Sequence, residues 1–193
     1  MRRVLALVLS GLLASAAVAC SGEATVTTAA TSGVPAREAR PAVAAPSSVK
    51  PSPVTSATVG ATLDLRGLTG GEGLAVTLVK VVDPARTGNP YSAPDAGSRL
   101  VAVQFRLKNT GTAVYQDSPS NGAKVVDEQG QQFGSAYQDT TAGPGFPGSI
   151  TVAPGDTGLG FITFEVPKAS RVTKVQFAMN SGFSPNTGQW RVP

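Results

Sequence analysis

Beyond residue 58 the chain repeatedly alternates apolar and polar positions with a period of two. The clearest run is Arg99 to Lys108, where Val101, Val103, Phe105 and Leu107 interleave with Ala102, Gln104, Arg106 and Lys108. Successive side chains of a strand point to opposite faces, so this pattern predicts a strand with one face in a core and the other in water. Leu74, Val76 and Leu78 alternate in the same way with Ala75, Thr77 and Val79. Ile162, Phe164 and Val166, then Val175, Phe177 and Met179, supply two further inward rows. Shorter strands are expected at Ala61 to Leu65, Ala113 to Gln116, Ala123 to Val126, Gln132 to Tyr137, Ser149 to Val152 and Gln189 to Val192.

Turn residues punctuate these runs. Asn109-Thr110-Gly111 ends the longest strand, and Asp127-Glu128-Gln129-Gly130 reads as a hairpin loop in which Gly130 takes a positive φ. No segment holds a helical period. Strands at this spacing without helices indicate an all-β, antiparallel sandwich over residues 58–193, a length that suits one hydrophobic core.

The pattern breaks down before residue 58. Arg2 and Arg3, an apolar run from Val4 to Leu9 continuing through Leu12 and Leu13, and small residues up to Ala19 make a secretory leader over 1–19. Its apolar stretch includes Ser10, Gly11 and Ser15 and falls short of the ~20 residues a spanning helix needs. The flanking residues of a twin-arginine signal are missing. From residue 20 to 57 the chain is rich in Ala, Ser, Thr and Pro and lacks aromatic residues, so it cannot bury enough surface to fold. Such a tether spans roughly 35 Å as a coil and approaches ~115 Å if fully extended in polyproline form.

Between leader and tether stands Ala17-Val18-Ala19-Cys20-Ser21-Gly22. It resembles the lipobox of bacterial lipoproteins, in which cleavage between Ala19 and Cys20 follows attachment of a diacylglyceryl group to the cysteine. Ala17 departs from the leucine that family prefers, and Ala17 with Ala19 also satisfies the A-x-A rule for ordinary cleavage. The two outcomes are a chain anchored to the outer face of the membrane through Cys20 and a secreted soluble one. Cys20 is the only cysteine, and an exported protein with one unpaired thiol needs a use for it, which favours the anchor.

Charge adds little. The formal balance is +4. With Arg2, Arg3 and the tether's Arg37, Arg40, Lys50, Glu23 and Glu38 set aside, basic and acidic side chains nearly cancel. No basic stripe interleaved with aromatics tracks a phosphate backbone, so nucleic acid is not an expected partner.

The strand and turn sequence resembles a known family. Val59-Gly60-Ala61-Thr62, Leu74 to Val81, Leu100 to Leu107 ending in Asn109-Thr110-Gly111, Val125-Val126-Asp127 with Gly130, Pro154-Gly155-Asp156-Thr157-Gly158 and Phe164-Glu165-Val166-Pro167 fall in the order of DUF4352 domains. The resemblance covers most of Thr58 to Ala178. It implies an immunoglobulin-like β-sandwich of the kind carried by exported lipoproteins of Gram-positive, especially actinobacterial, envelopes. It implies no catalytic residue and no ligand. Unlike an antibody domain, the chain has no inter-sheet disulfide, and Trp190 lies at its end.

Several chemistries lose their residues. With no histidine, Ser-His-Asp and Cys-His arrangements and histidine-bearing zinc or copper sites cannot form, so no catalytic residue, metal or cofactor is assigned. Asp127 and Glu128 are adjacent carboxylates, but neighbours in a strand or turn point apart. Asp83, Asp95, Asp117, Asp127, Asp139 and Asp156 fall in loops without EF-hand spacing, and aspartate is favoured in turns regardless.

Recognition on a sandwich is normally carried by loops. Asp83 to Ser98 holds Tyr91, and Asp139 to Gly148 holds Phe146; each aromatic is either an exposed anchor for a partner or a cap folded back on the sandwich. Phe183 and Trp190 are expected to pack the C-terminal strand onto the core. The reading is a non-enzymatic, lipid-anchored binding or scaffold module facing an envelope protein or cell-wall glycan. Its alternatives are an accessory subunit of an extracytoplasmic enzyme or transporter and a secreted solute- or glycan-binding protein.

Overall fold

The computed structural model describes residues 56–89, 91 and 93–193. The leader, the Ala19–Cys20 junction and the tether up to residue 55 lie outside them. The elements are β1 (Ser56–Thr58), β2 (Thr62–Arg66), β3 (Gly73–Ala85), β4 (Ser98–Asn109), β5 (Tyr115–Asp117), α1 (Pro119–Gly122), β6 (Ala123–Asp127), β7 (Gln132–Ala136), β8 (Ile150–Val152), β9 (Thr157–Pro167), β10 (Val172–Ala178) and β11 (Thr187–Arg191), with a 3-10 turn at Asn180–Gly182. β1 takes Ser56 and Ala57 from the segment the sequence assigns to the tether.

Nine strands hydrogen-bond in the order β1-β11-β10-β6-β7-β9-β4-β3-β2, and β5 pairs with β8 in a small ladder of its own. β2, β3, β4 and β9 form one layer, and β1, β11, β10 and β6 the other. β7 pairs with β6 on one side and β9 on the other, carrying the sheet around the edge of the sandwich. At the opposite edge the chain crosses from β1 to β2 through Val59-Gly60-Ala61, and the Trp190 Nε1–H donates to the Ala61 carbonyl at 2.9 Å.

The expected antiparallel sandwich is therefore present, with one parallel strand pair among the described ladders, β1 with β11. The β2–β3 loop, the chain after β4, the 3-10 turn and the start of β11 lie at one end. The β6–β7 hairpin and the turn between β3 and β4 lie at the other. At that hairpin Gly130 has φ 87° and its N–H donates to Asp127, as the Asp-Glu-Gln-Gly pattern requires.

The inward rows meet between the layers. Val101, Val103, Phe105 and Leu107 of β4, Ile162, Phe164 and Val166 of β9, and Val175 and Phe177 of β10 are all buried. Phe105 stacks tilted on Phe177 with ring centroids 5.3 Å apart and meets Trp190 edge-on at 6.0 Å. These are favourable aromatic geometries, and they fill the interior.

Two expectations change. β4 does not alternate throughout, because Leu100 and Ala102 on its outer face are buried too. Their partners on β9 are Glu165 and Thr163, and Phe161 on the same outer face is likewise buried. Loops cover this part of the sheet, as described below. Phe183 does not pack on the core; it is 79% exposed. The cause is a left-handed turn in which Asn180, Ser181 and Gly182 have φ of 55°, 54° and 89°, swinging the chain outward. Ser184 takes the inward position instead, its hydroxyl donating to the Arg66 carbonyl at 2.7 Å. Trp190 is fully buried, as expected.

Candidate functional site

The two loops singled out in the sequence meet over the outer face of β4 and β9. Thr87 and Thr140 form an antiparallel bridge. The Gly88 N–H donates to Asp139 at 2.8 Å and the Thr141 N–H to Arg86 at 3.0 Å. This is the cover that buries Leu100, Ala102, Phe161 and Thr163.

Both loops are held at their roots. Arg99 on β4 grips Asp83 through Nε and Nη2 at 2.6 and 2.8 Å, while its Nη1 donates to the Pro167 carbonyl. A bidentate pair of this kind fixes direction as well as distance. Glu165 on β9 then joins the loops to each other, accepting the Asp95 N–H at 2.7 Å on one oxygen and the Gln138 amide at 3.3 Å on the other.

On this frame Tyr91 follows a tight turn in which its N–H donates to the Asn89 side chain at 2.9 Å, and the residue is 96% exposed. Tyr137, where β7 gives way to the second loop, is 84% exposed. Pattern reading placed Tyr137 at the end of a strand and missed it as a surface aromatic. Its neighbour Gln138 sits at the foot of a cleft of about 200 Å³ lined also by Ser120, Phe161 and Thr163. Gln138 Oε1 and Thr140 Oγ1 are buried acceptors with no partner among the described residues.

Phe146 folds back. Its N–H donates to the Phe161 carbonyl at 3.0 Å, and its ring lies against β9. Gly160 permits this, since a Cβ there would come within 2.7 Å of the ring. Phe146 also borders a surface cleft of about 380 Å³ with Ile150, Val152 and Leu159. Of the two candidate aromatics, Tyr91 has the exposure of an anchor and Phe146 packs as a cap.

The acidic residues are engaged locally. Asp127 is buried, and its Oδ1 accepts the N–H groups of Gln129 and Gln131, shaping the β6–β7 hairpin, whereas Glu128 is exposed. They do not converge as an acid/base pair. Asp117 accepts from the Ser118 N–H, the Tyr115 hydroxyl, and both the N–H and hydroxyl of Ser181. Burial, then the charge and hydrogen bond of Asp117, push the Tyr115 phenol well above its usual range. Among the described residues no three acidic or cysteine side chains come together as a metal site.

Asn180 completes a second network at the β2–β3 end. Its Oδ1 accepts the Leu68 N–H at 2.9 Å and its Nδ2 donates to Glu72 at 3.1 Å. Burial raises the Glu72 carboxyl, but the hydrogen bonds from Asn180, Thr69 and Leu68 together outweigh it and leave the group below its usual range. None of these long-range partners was legible as a motif.

The family model described as a domain of unknown function, DUF4352, matches residues 72–187. The chain matches no curated protein in sequence. In structure it is similar to the secreted protein MPT63 of Mycobacterium tuberculosis at 19% identity and TM-score 0.51, over 72% of this chain and 98% of that one. It is also similar to yjhA of Bacillus subtilis at 12% identity and TM-score 0.49, over 71% and 99% of the respective chains. A candidate lipoprotein of Bacillus subtilis, ycdA, matches at 15% identity and TM-score 0.48 over 64% of this chain and 38% of that one. The likeness to MPT63 supports the sandwich fold.

Proposed function

Since the chain belongs to the DUF4352 family, whose description assigns no activity, we propose from its own residues that it is a non-enzymatic binding module. It is held on the extracytoplasmic face of the membrane by lipid on Cys20. The observation that carries the binding role is the paired loop surface: two loops cross-tied by backbone bridges and by Glu165, presenting Tyr91 and Tyr137 to solvent. Tyrosine offers a large contact area with few rotatable bonds, so pre-ordered loops carrying it lose little entropy on binding. Among the described residues Asp117 and Asp127 are taken up by hydrogen bonds that shape the backbone, and the chain has no histidine.

An envelope protein is the partner this surface fits best, because Tyr91 and Tyr137 project into solvent instead of lining an enclosed cavity. A wall glycan is favoured by one specific feature, the cleft lined by Tyr137 and Gln138, whose amide oxygen has no partner among the described residues and suits a hydroxyl donor. The interior between the layers is filled by aromatic side chains, which argues against a solute held inside the sandwich.

The test is a photo-crosslinking residue at position 91 in the full chain, expressed in its native envelope. A discrete crosslinked protein or glycan that is lost when the probe is moved to Glu128 is the expected result. Crosslinks equal at both positions would refute the loop surface as the recognition site.

A further inference from the structure

The exposed large apolar side chains are sorted by place. Tyr91 and Tyr137 stand on the paired loops and Leu159 on the outer face of β9, while Leu68, Val114 and Phe183 share the β2–β3 end at 57%, 53% and 79% exposure. These last three sit on separate loops that are tied together. The Leu68 N–H donates to Asn180, three residues before Phe183. The Thr112 and Ala113 N–H groups, just ahead of Val114, donate to the Gly71 carbonyl in Leu68's own loop. Asp117 clamps Ser181 in its left-handed conformation.

Two consecutive non-glycine residues in that conformation cost free energy that local hydrogen bonds must offset. The turn so held leaves Phe183 exposed at the loop tip.

The tether meets the domain at this same end. β1 runs parallel to β11, with Ser56 opposite Gln189 and Thr58 opposite Arg191. β11 begins at the β2–β3 end, since the Arg66 N–H donates to Asn186 at 2.9 Å just before it starts. β1 therefore starts, at Ser56, on the side on which Leu68, Val114 and Phe183 project.

We propose that the β2–β3 end is a membrane-docking surface: the tips of Leu68, Val114 and Phe183 enter the outer leaflet of the bilayer to which the tether is anchored. The anchor itself rests on the reading of Cys20 above. Aliphatic and phenyl side chains on rigid loop tips suit insertion at the acyl boundary. The charges behind them are mixed, with Arg66 exposed beside Asp64 and Glu72 around one cleft. Docking is therefore driven by apolar burial, with little dependence on salt or on anionic lipid. The geometry turns the far end of the sandwich, with the β6–β7 hairpin and the root of the Tyr91 loop, away from the bilayer.

The experiment uses the full lipidated chain in vesicles of phosphatidylcholine with and without phosphatidylglycerol, carrying an environment-sensitive fluorophore on a cysteine introduced by Phe183→Cys or, as control, Tyr91→Cys. Brominated acyl chains should quench the position-183 label and leave the position-91 label unchanged, at low and high salt alike. A second preparation, Leu68→Ser with Val114→Ser and the position-183 label, should lose most of that quenching. Because those side chains are exposed, its melting temperature should match the parent.

Equal quenching at both positions, or none at 183, would overturn the docking surface while leaving the anchor intact. Loss of the chain from vesicles only when lipidation at Cys20 is removed tests the anchor separately. A label at 183 shielded to the same degree in detergent micelles lacking a bilayer, and dependent on protein concentration, would assign the patch to a second copy of the chain and also overturn the proposal.

Discussion

Asp117, the last residue of β5, shows how much one aspartate does here. It ties Tyr115 on β5 to Ser181, 64 residues away, and is the main brace of a backbone conformation that side chains rarely adopt. Burial, with the charge and hydrogen bond of Asp117 adding to it, makes Tyr115 hard to ionise. In the unfolded chain this phenol titrates near about pH 10, while in the fold it stays protonated beyond that. A group whose folded value is raised contributes stability that is complete below its unfolded value and is lost as pH rises through the folded one.

Stability should therefore fall above about pH 10, and Tyr115→Phe should flatten that decline relative to the parent in urea titrations at stepped pH. An alkaline slope unchanged by the substitution would show that Tyr115 ionises as freely in the fold as outside it. From sequence, Asp117 was one of six loop aspartates with no distinguishing mark, because its role depends on a partner far along the chain. Tyr91 was legible because proline and asparagine around it mark a loop, and an aromatic in such a place stands out. Phe146 sits in the same kind of sequence and folds back, a difference decided by the bare face of Gly160 on a strand it does not neighbour in sequence.

Strands were most legible where one inward row alternates with polar residues, and least so in the second half of β3, which runs to Ala85 through residues that read as a loop. β4, β6, β7, β10 and β11 emerge from alternation and turn residues with their ends displaced by at most two or three residues. The first half of β9 was not, because Gly158 and Gly160 break the apolar pattern and Phe161 and Thr163 are buried by loops outside the sandwich. Trp190 illustrates the energetic weight of a single strand position. It fills the end of the core on β11, meets Phe105, and donates to Ala61 across the seam between layers.

Trp190→Ala should cost about 3–5 kcal/mol, from lost burial and the cavity left behind. Trp190→Phe should cost less, keeping part of the packing while leaving the Ala61 carbonyl without its donor. Denaturant unfolding of both variants measures the difference. Equal stability of the two would mean that the seam bond and the extra ring volume contribute nothing.

At the scale of the whole molecule the sandwich has two unlike surfaces. Tyrosines stand on cross-tied loops over one sheet face, and aliphatic and phenyl tips share the end at which β1 starts. This arrangement makes sense for a domain with a fixed orientation to a surface, and the anchor would supply that surface. Radiolabelled palmitate should be incorporated into the chain and lost in Cys20→Ser, with the protein moving from membrane to medium. No incorporation into the parent chain would remove the anchor and favour the secreted alternative that Ala17 and Ala19 allow, while incorporation that persists in Cys20→Ser would move the lipid to another residue. Composition excludes histidine chemistry, but polarity of this kind is invisible to it, since it arises only when loops distant in sequence are brought to the same end.

The parallel pairing of β1 with β11 also sets how the domain bears load. Tension between an anchored N-terminus and a partner held at the far end runs along the axis of β1, so its rungs with β11 at Ser56, Ala57 and Thr58 are sheared together instead of being peeled one at a time. That short ladder would act as a mechanical fuse. Behind it stand the Trp190 bond to Ala61 and the filled core, so a load applied through Ser56 would meet the β1 rungs before the remaining strands.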